Sequence, residues 1–257
     1  GHARAEFWRW VASWASLVRN PSDLGFDGSR YILPALNVHQ HTVKSEGHDQ
    51  NETGILFALE ASTLSERRDA RRSSLERRVA KCAEMVNADH QPWIVWCDLN
   101  AEGDALRAAI PGAVEIRGSD DPDEKERRLL DFAHGKIRVL ITKPSIAGFG
   151  LNWQHCARMA FVGVTDSWES YYQAVRRCWR FGQRREVDVH IIASDLEGAV
   201  VANLSRKEAD AKIMADALSA ETRDAVMAEI TSATGRQTNE YAARSAIQIP
   251  TWLSTES

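Results

Sequence analysis

Gln173-Ala-Val-Arg-Arg-Cys-Trp-Arg-Phe-Gly-Gln183 is the stretch of sequence that organises the rest of the chain. At about 100° per residue, its pattern predicts a helix with an apolar stripe and a separate polar face. The stripe comprises Tyr172, Val175 and Trp179. The polar face comprises Gln173, Arg177 and Arg180. Gly182 is predicted to end the helix. A solvated basic helix is the alternative interpretation, but it leaves the glutamine, the tryptophan and the glycine unexplained.

The same stretch resembles motif VI of superfamily 2 helicases and translocases, most closely the Swi/Snf-like and phage-associated DEAD/DEAH-type members, whose pattern is Q-A-x-G-R-x-x-R-x-G-Q. The matching residues are Gln173, Ala174, Arg177, Arg180, Gly182 and Gln183. Arg176 departs from the pattern, because the family usually has glycine there. The resemblance implies that Arg177 and Arg180 are catalytic arginine fingers and that Gln173 binds the nucleotide. A planar, permanently charged guanidinium also suits the charge that develops on a transferring phosphoryl group.

A second signature lies between Ile141 and Asn152, directly after a predicted strand. By itself, a pair of glycines such as Gly148 and Gly150 indicates only a tight turn or a close approach of backbone to phosphate. The segment resembles motif V of the same superfamily, in which A-G-x-G-L-N/D follows a strand. The resemblance implies that Gly150 and Asn152 lie near the nucleotide. It also implies that Lys143 and Ser145 lie toward the nucleic-acid backbone.

Strands and helices alternate between residues 93 and 195. The predicted strands are Trp93 to Cys97, Val114 to Ile116, Ile137 to Thr142, Met159 to Val164 and Val187 to Ile192. The predicted helices include Ala101 to Ala109, Pro122 to Ala133 and Trp168 to Phe181. This alternation predicts an α/β fold with a parallel sheet, helices on both faces and a ligand at the carboxyl ends of the strands. The resemblance identifies that sheet as RecA-like, with helical N- and C-terminal extensions.

Three parts of the chain are expected. Residues 1–30 form an N-terminal helix and connector, residues 31–195 the RecA-like helicase C-terminal lobe, and residues 196–257 a C-terminal helical extension and tail. The remaining predicted elements are a tryptophan-rich helix up to Asn20 and two strands, at Tyr31 to Leu33 and Leu36 to Val43. Three further helices are predicted, at Gly54 to Lys81, from after Leu196 to Leu218, and at Glu221 to Ile230. His39 and His41 share one face of a strand but have no third ligand nearby in sequence, so they are interpreted as strand residues.

The chain has 257 residues, 44% of them hydrophobic, which is enough for a sizeable core. Its apolar runs are far shorter than the roughly 20 residues of a membrane span, and we expect a cytoplasmic protein without a membrane partner. The four cysteines form no C-x-x-C pair and are expected to be buried reduced thiols, with no metal site.

The net charge of −4 does not favour wholesale attraction to nucleic acid, but the charge is unevenly distributed. From Glu66 to Lys81, seven basic residues stand against three acidic ones, a local charge of +4. Repulsion between these cations favours a phosphate partner, and Arg67 and Arg71 are candidate nucleic-acid contacts. A merely solvated face is the alternative.

The sequence contains no G-x-x-x-x-G-K-[ST] loop that would hold nucleotide phosphates. We therefore expect the C-terminal lobe of an ATP-dependent helicase or translocase, which acts on DNA in preference to RNA. ATP and magnesium would be bound mainly by an N-terminal RecA-like lobe of the same protein, and this chain alone would be inactive. The alternative is a non-catalytic nucleic-acid-binding module with a helicase-like fold. A self-contained α/β enzyme is disfavoured, because no nucleophile, base or metal constellation is evident.

Overall fold

The computed structural model describes residues 5–12, 14–44, 72–147, 151–163 and 167–232. Contacts divide the chain into two compact units, residues 33–206 and residues 1–32 with 207–257. The strands are β1 Leu36–Val43, β2 Trp93–Trp96, β3 Val114–Glu115, β4 Val139–Thr142, β5 Arg158–Phe161 and β6 Val187–Ser194. The α-helices are α1 Ala5–Ala12, α2 Leu75–Ala88, α3 Asn100–Ala109, α4 Pro122–Ala133, α5 Pro144–Ala147, α6 Trp168–Val175 and α7 Gly198–Ser232. Single 3₁₀ turns occur at Pro21–Leu24, Ser29–Tyr31 and Asp195–Glu197.

The larger unit is built on a six-stranded sheet in the order β1-β6-β5-β2-β4-β3, and each neighbouring pair is parallel. Every residue of β2 and β4 is buried. Alternate residues of β2 enter different apolar clusters, with Ile94 and Trp96 in one and Trp93 and Val95 in the other. The apolar runs therefore arise because both faces of the sheet are covered. The predicted α/β fold with a parallel sheet is confirmed.

Outside the central alternation, the predicted strand at Tyr31 to Leu33 and the predicted break after Leu218 are wrong. Tyr31 does not begin a strand but closes the 3₁₀ turn Ser29–Tyr31, with its N–H donated to the carbonyl of Gly28. The C-terminal helix does not break after Leu218. The hydroxyl of Thr222 donates to the Leu218 carbonyl, and Thr222 and Ser219 are buried, so α7 continues through the predicted break.

The helix predicted from Trp168 to Phe181 is too long, because α6 ends at Val175. Carbonyl groups beyond that point bond outside the helix. The Arg177 carbonyl accepts from Trp153 N–H, and the Cys178 carbonyl accepts from the side-chain amide of Gln183. These tertiary partners replace the helical ladder, so residues 176–182 form successive turns.

In the smaller unit, the tryptophan-rich helix is also shorter than predicted. α1 ends at Ala12, and the aromatic rings of Phe7, Trp8, Trp10 and Trp14 pack against one another. Arg19 pairs with Asp23 and Asp216.

Of the helices that the structure describes, none combines the length and the apolarity that crossing a bilayer requires. All four cysteines are free and buried.

Three imidazoles lie in a row on one face of β1 and β6, and the pairing register places His190 directly opposite His39. The ring of His190 stacks on His39 at 4.7 Å and on His41 at 5.2 Å, and Nε2 of His41 lies 3.0 Å from Nδ1 of His190. Nε2 of His39 lies 3.1 Å from a carboxylate oxygen of Asp188. Over the described residues, no three histidine, cysteine or acidic side chains are arranged to hold a metal ion.

We expect the stability of the larger unit to decrease between pH 7.5 and pH 5. Burial is the main cause that lowers the pKa of His190 to about 4, with His39 and His41 adding to it, and burial also lowers the pKa of His41. The folded state therefore binds fewer protons than the unfolded chain below about pH 6.5, and stability falls as the pH drops through this window. Discounted for partial exposure, the loss should be about 1 kcal/mol.

The measurement is urea unfolding at both pH values. His190→Gln should flatten the pH dependence, whereas His90→Gln, at an exposed position on the loop before β2, should leave it unchanged. An unchanged pH slope in His190→Gln would contradict the assignment.

Candidate functional site

A pocket of about 120 Å³ opens where β2, β4 and β5 end. Its lining includes Asp98, Lys143, Ser145, Gly163, Ser167 and Ser170. Asp98 follows β2, Lys143 follows β4 and Ser167 caps the N-terminus of α6 through its hydroxyl, which accepts from Ser170 N–H. The ligand edge predicted from strand direction thus brings Lys143 and Ser145 together in one pocket, as expected at the carboxyl ends of a parallel sheet. Thr165 and Asp166, which directly follow the predicted strand Met159 to Val164, lie outside the described residues.

A buried carboxylate holds one wall of this pocket. Glu102 Oε2 accepts hydrogen bonds from the backbone N–H groups of Asp98 at 2.8 Å and Leu99 at 3.0 Å. A side chain at Gly163 would place its Cβ only 2.6 Å from the same oxygen, so the end of β5 approaches closely enough to require glycine. Glu102 therefore fixes the loop after β2 at the pocket.

The counter-ion of Glu102 is Arg78. Arg78 Nη1 donates to Glu102 Oε1 at 2.7 Å, and its Nε donates to Ser74 Oγ at 3.0 Å. Both charged side chains are fully buried. Arg78 was counted in the basic surface from Glu66 to Lys81, and that assignment is wrong, because this guanidinium points into the protein and pairs with a carboxylate.

The two predicted arginine fingers converge on a single backbone oxygen. Nη1 of Arg177 lies 3.1 Å from the carbonyl oxygen of Leu151, and Nη1 of Arg180 lies 3.2 Å from the same atom. The predicted separation of faces is wrong for Arg177, which is only 6% exposed, and for Tyr172, which is 38% exposed although predicted on the packing stripe. The chain turns after Val175, and this turn brings both guanidinium groups to Leu151.

Negative charge is scarce around this pair. Within the described ranges, no carboxylate lies within ion-pair distance of Arg177 or Arg180. Nε of Arg177 is buried, and no described group bonds to it. Burial lowers the pKa of Arg177, and the neighbouring Arg180 adds to the effect. An anion with several oxygens would complement two such cations through charge-assisted hydrogen bonds.

Gln183 holds the turn that carries the arginines. Its amide nitrogen donates to the carbonyls of Gln154, Cys156 and Cys178, and its oxygen accepts from the backbone N–H groups of the next two residues. Gly182 has a φ of 94°, and a Cβ there would come within 2.6 Å of the Gln154 amide. The predicted glycine terminator is therefore needed for conformation and for space, although it ends the turns rather than the helix.

Residues 79–182 match the family of the helicase conserved C-terminal domain. The chain contains a helicase C-terminal domain. This agrees with the resemblance of the Gln173–Gln183 stretch to superfamily 2, which is confirmed.

Relatives of this helicase domain occur among curated proteins and solved structures. The bifunctional helicase and thymine dioxygenase JBP2 of Leishmania braziliensis is 31% identical over 90 residues, which cover 34% of this chain and about 8% of the relative's length. The structure of the C-terminal domain of the DEAD-box protein Dbp5 matches with a TM-score of 0.50 at 13% identity, over 68% of this chain and 87% of that one. The RNA helicase Prp28 from Chaetomium thermophilum bound to ADP matches with a TM-score of 0.50 at 12% identity, over 70% of this chain and 38% of that one. At such identities the two structures establish the fold alone.

The remaining predicted site residues of the helicase domain are scattered. Gln173 is half-buried on α6, and Asn152 is exposed beside the carbonyl that the arginines contact. Gly150, Arg67 and Arg71 lie outside the described residues. Sequence reasoning missed the Leu151 carbonyl, since a backbone acceptor leaves no side-chain signature. It also missed that the side chain of Gln183 holds the turn through hydrogen bonds to the backbone, although the motif contains that residue.

Proposed function

We propose that this chain is the C-terminal lobe of an ATP-dependent DNA helicase or translocase, and that Arg177 and Arg180 are its arginine fingers. The observation that supports this most strongly is the convergence of their Nη1 atoms on the Leu151 carbonyl, without a carboxylate among the described residues. Two cations held at one backbone oxygen are suited to a phosphate chain.

The arginines act by position and charge. Each guanidinium is planar, permanently protonated and anchored through one nitrogen, which leaves its other N–H groups to donate to phosphate oxygens. ATP with magnesium, held mainly by an N-terminal RecA-like lobe, would supply the phosphoryl group. Gln173, Asn152 and Gly150 are further proposed nucleotide contacts. The orphaned Nε of Arg177 and the absence of any described carboxylate beside the pair fit a polyanionic group.

The pocket at the carboxyl ends of β2, β4 and β5 is the proposed nucleic-acid contact. Lys143 supplies a cation, Ser145 and Ser170 supply hydroxyl donors, and no sequence-specific reader is required for a backbone contact. Arg67 and Arg71 are proposed further contacts. The name of the JBP2 relative includes a thymine dioxygenase, and thymine is a DNA base, which favours DNA over RNA.

The proposed contact predicts salt-sensitive binding of the purified chain to a labelled DNA strand. Affinity should fall steeply between 50 and 200 mM salt, roughly in proportion to the number of phosphates neutralised. Lys143→Gln should weaken binding by about threefold to tenfold and reduce the slope of log affinity against log salt by about one.

The matched control is Lys136→Gln, because Lys136 is exposed and already paired with Asp131. Affinity that does not respond to salt, or equal losses in the two variants, would count against phosphate contact at this pocket.

A further inference from the structure

The arginine pair lies on a segment without regular secondary structure. After α6 ends, Arg177 N–H donates to the Ala174 carbonyl and Cys178 N–H to the Val175 carbonyl, each only three residues back. Arg180 N–H donates to the Cys178 carbonyl. Turns of this kind do not fix side-chain direction as a continuous helix does, so the orientation of the fingers must be held by tertiary contacts.

Arg176 joins the last turn of α6 to this irregular segment. Its guanidinium carbon lies 5.9 Å from the ring centroid of Tyr172 and 5.4 Å from that of Trp179. The described part of the chain offers it no carboxylate within ion-pair distance. Both distances fall within the range in which a cation is attracted to an aromatic face. Arg176 therefore bridges two rings that are seven residues apart in sequence.

The two aromatic residues that Arg176 bridges, Tyr172 and Trp179, each contact a further residue. The ring of Tyr172 stacks on Trp168 at 4.9 Å with an interplanar angle of 24°. The indole N–H of Trp179 donates to the Pro34 carbonyl at 2.8 Å, which ties the segment to the residues preceding β1. Trp168, Tyr172, Arg176 and Trp179 together form a ladder of planar groups, called here the aromatic ladder.

Each of three ladder residues directly precedes a residue of the proposed nucleotide site. Tyr172 precedes Gln173, and Arg176 precedes Arg177. Trp179 precedes Arg180. Immobilising a side chain restricts the backbone of the next residue, so the ladder sets the direction from which all three polar side chains leave the chain.

We propose that Arg176 is a positioning residue, whose bridge between Tyr172 and Trp179 holds Arg177 and Arg180 in their orientation. The inference rests on the proposed function of those two arginines. Related helicases usually have glycine at this position, and glycine could not form such a bridge. The bridge therefore depends on the arginine by which this chain departs from the family pattern.

The first test needs no activity. Arg176→Gln removes the charge while keeping much of the side-chain length, and hydrogen exchange of the amides in residues 176–183 should become about tenfold faster. Arg176→Lys, which keeps a cation, should restore part of the protection. Arg184→Gln is the matched control, because Arg184 is exposed and no ring contact to it is described; its exchange should match that of the parent chain. Unchanged exchange in Arg176→Gln would overturn the ladder.

The second test measures steady-state ATP turnover in the intact protein. Arg176→Gln should lower kcat about tenfold and change KM for ATP by less than threefold, with partial rescue in Arg176→Lys. Faster exchange with an unaltered kcat would mean that the ladder is merely structural, and would overturn the positioning role. Failure of the proposed function is recognised separately, since Arg180→Lys would then keep full turnover while the exchange result for Arg176→Gln still held.

Discussion

Replacing Arg180 by lysine in the intact protein is expected to lower ATP turnover by about 10³-fold, while ATP binding stays within a few-fold of the parent value. Lysine keeps the charge but loses the planar fork, so it cannot hold the Leu151 carbonyl and a phosphate oxygen in the same geometry. The loss should therefore concern the transition state rather than the bound nucleotide. Phosphate release and equilibrium binding of a fluorescent nucleotide measure the two quantities.

Arg177→Lys should reduce turnover to a similar extent, but it should also destabilise the domain. Arg177 is buried and its guanidinium donates to the Leu151 carbonyl. The shorter lysine side chain would leave that buried carbonyl without this hydrogen bond. Arg180 is less buried and gives the cleaner test. Arg184→Lys, on the exposed end of the same segment, is the control that should keep full activity.

The isolated chain should release no phosphate in any variant, because its sequence lacks a phosphate-cradling loop. Full turnover of Arg180→Lys in the intact protein would refute the finger assignment. Salt-sensitive nucleic-acid binding by an intact protein without ATP turnover would instead favour the non-catalytic module.

Elements whose signals are local could be predicted from the sequence. β2 is an uninterrupted apolar run after Pro92, and its four residues are all buried. α4 was predicted with the same bounds, because Pro122 occupies its first turn and the Asp121 carboxylate accepts from the N–H groups of Asp123 and Glu124. Such capping and periodicity act within a few residues and can be seen in one stretch of sequence.

Features that depend on a distant partner could not be predicted. Beyond Val175, Trp153 and Gln183 take the carbonyls of Arg177 and Cys178, which the helical pattern assigned to a continuing α6. The same cause moved Arg177 from the expected polar face into a buried position. Helical periodicity assumes that the helix continues, and it fails where tertiary hydrogen bonds compete with the ladder.

The burial of Arg78 is a second feature that depends on a distant partner and could not be predicted from the sequence. In sequence it lies among other cations, and the residue that neutralises it, Glu102, is 24 residues away on α3. Arg77, next to it, remains exposed and donates to the Lys44 carbonyl. Adjacent arginines therefore have opposite environments, because successive residues of α2 point in directions about 100° apart.

The largest loss of stability is expected for Arg78→Met. Methionine fills much of the volume, but it leaves the Glu102 carboxylate buried without a counter-ion, which should cost about 3 to 5 kcal/mol in the free energy of unfolding. Urea unfolding of the purified chain at pH 7.5 measures this loss. Arg77→Met is the matched control, and should cost less than about 0.5 kcal/mol because Arg77 is exposed.

A second substitution separates lost packing from unpaired charge. In Arg78→Met with Glu102→Gln, neither position of the former ion pair carries a charge, yet the glutamine oxygen can still accept from the Asp98 and Leu99 N–H groups. The double variant should therefore be more stable than Arg78→Met alone, by about 1 to 3 kcal/mol. In Arg78→Met, binding a proton would remove the unpaired charge of the carboxylate, so the loss of stability relative to the parent chain at the same pH should become smaller as the pH falls toward 5. If the double variant is no more stable than Arg78→Met, and the difference in stability between Arg78→Met and the parent chain is the same at pH 7.5 and pH 5, the ion pair does not hold the wall of the pocket by charge, and the packing of the side chains alone accounts for it.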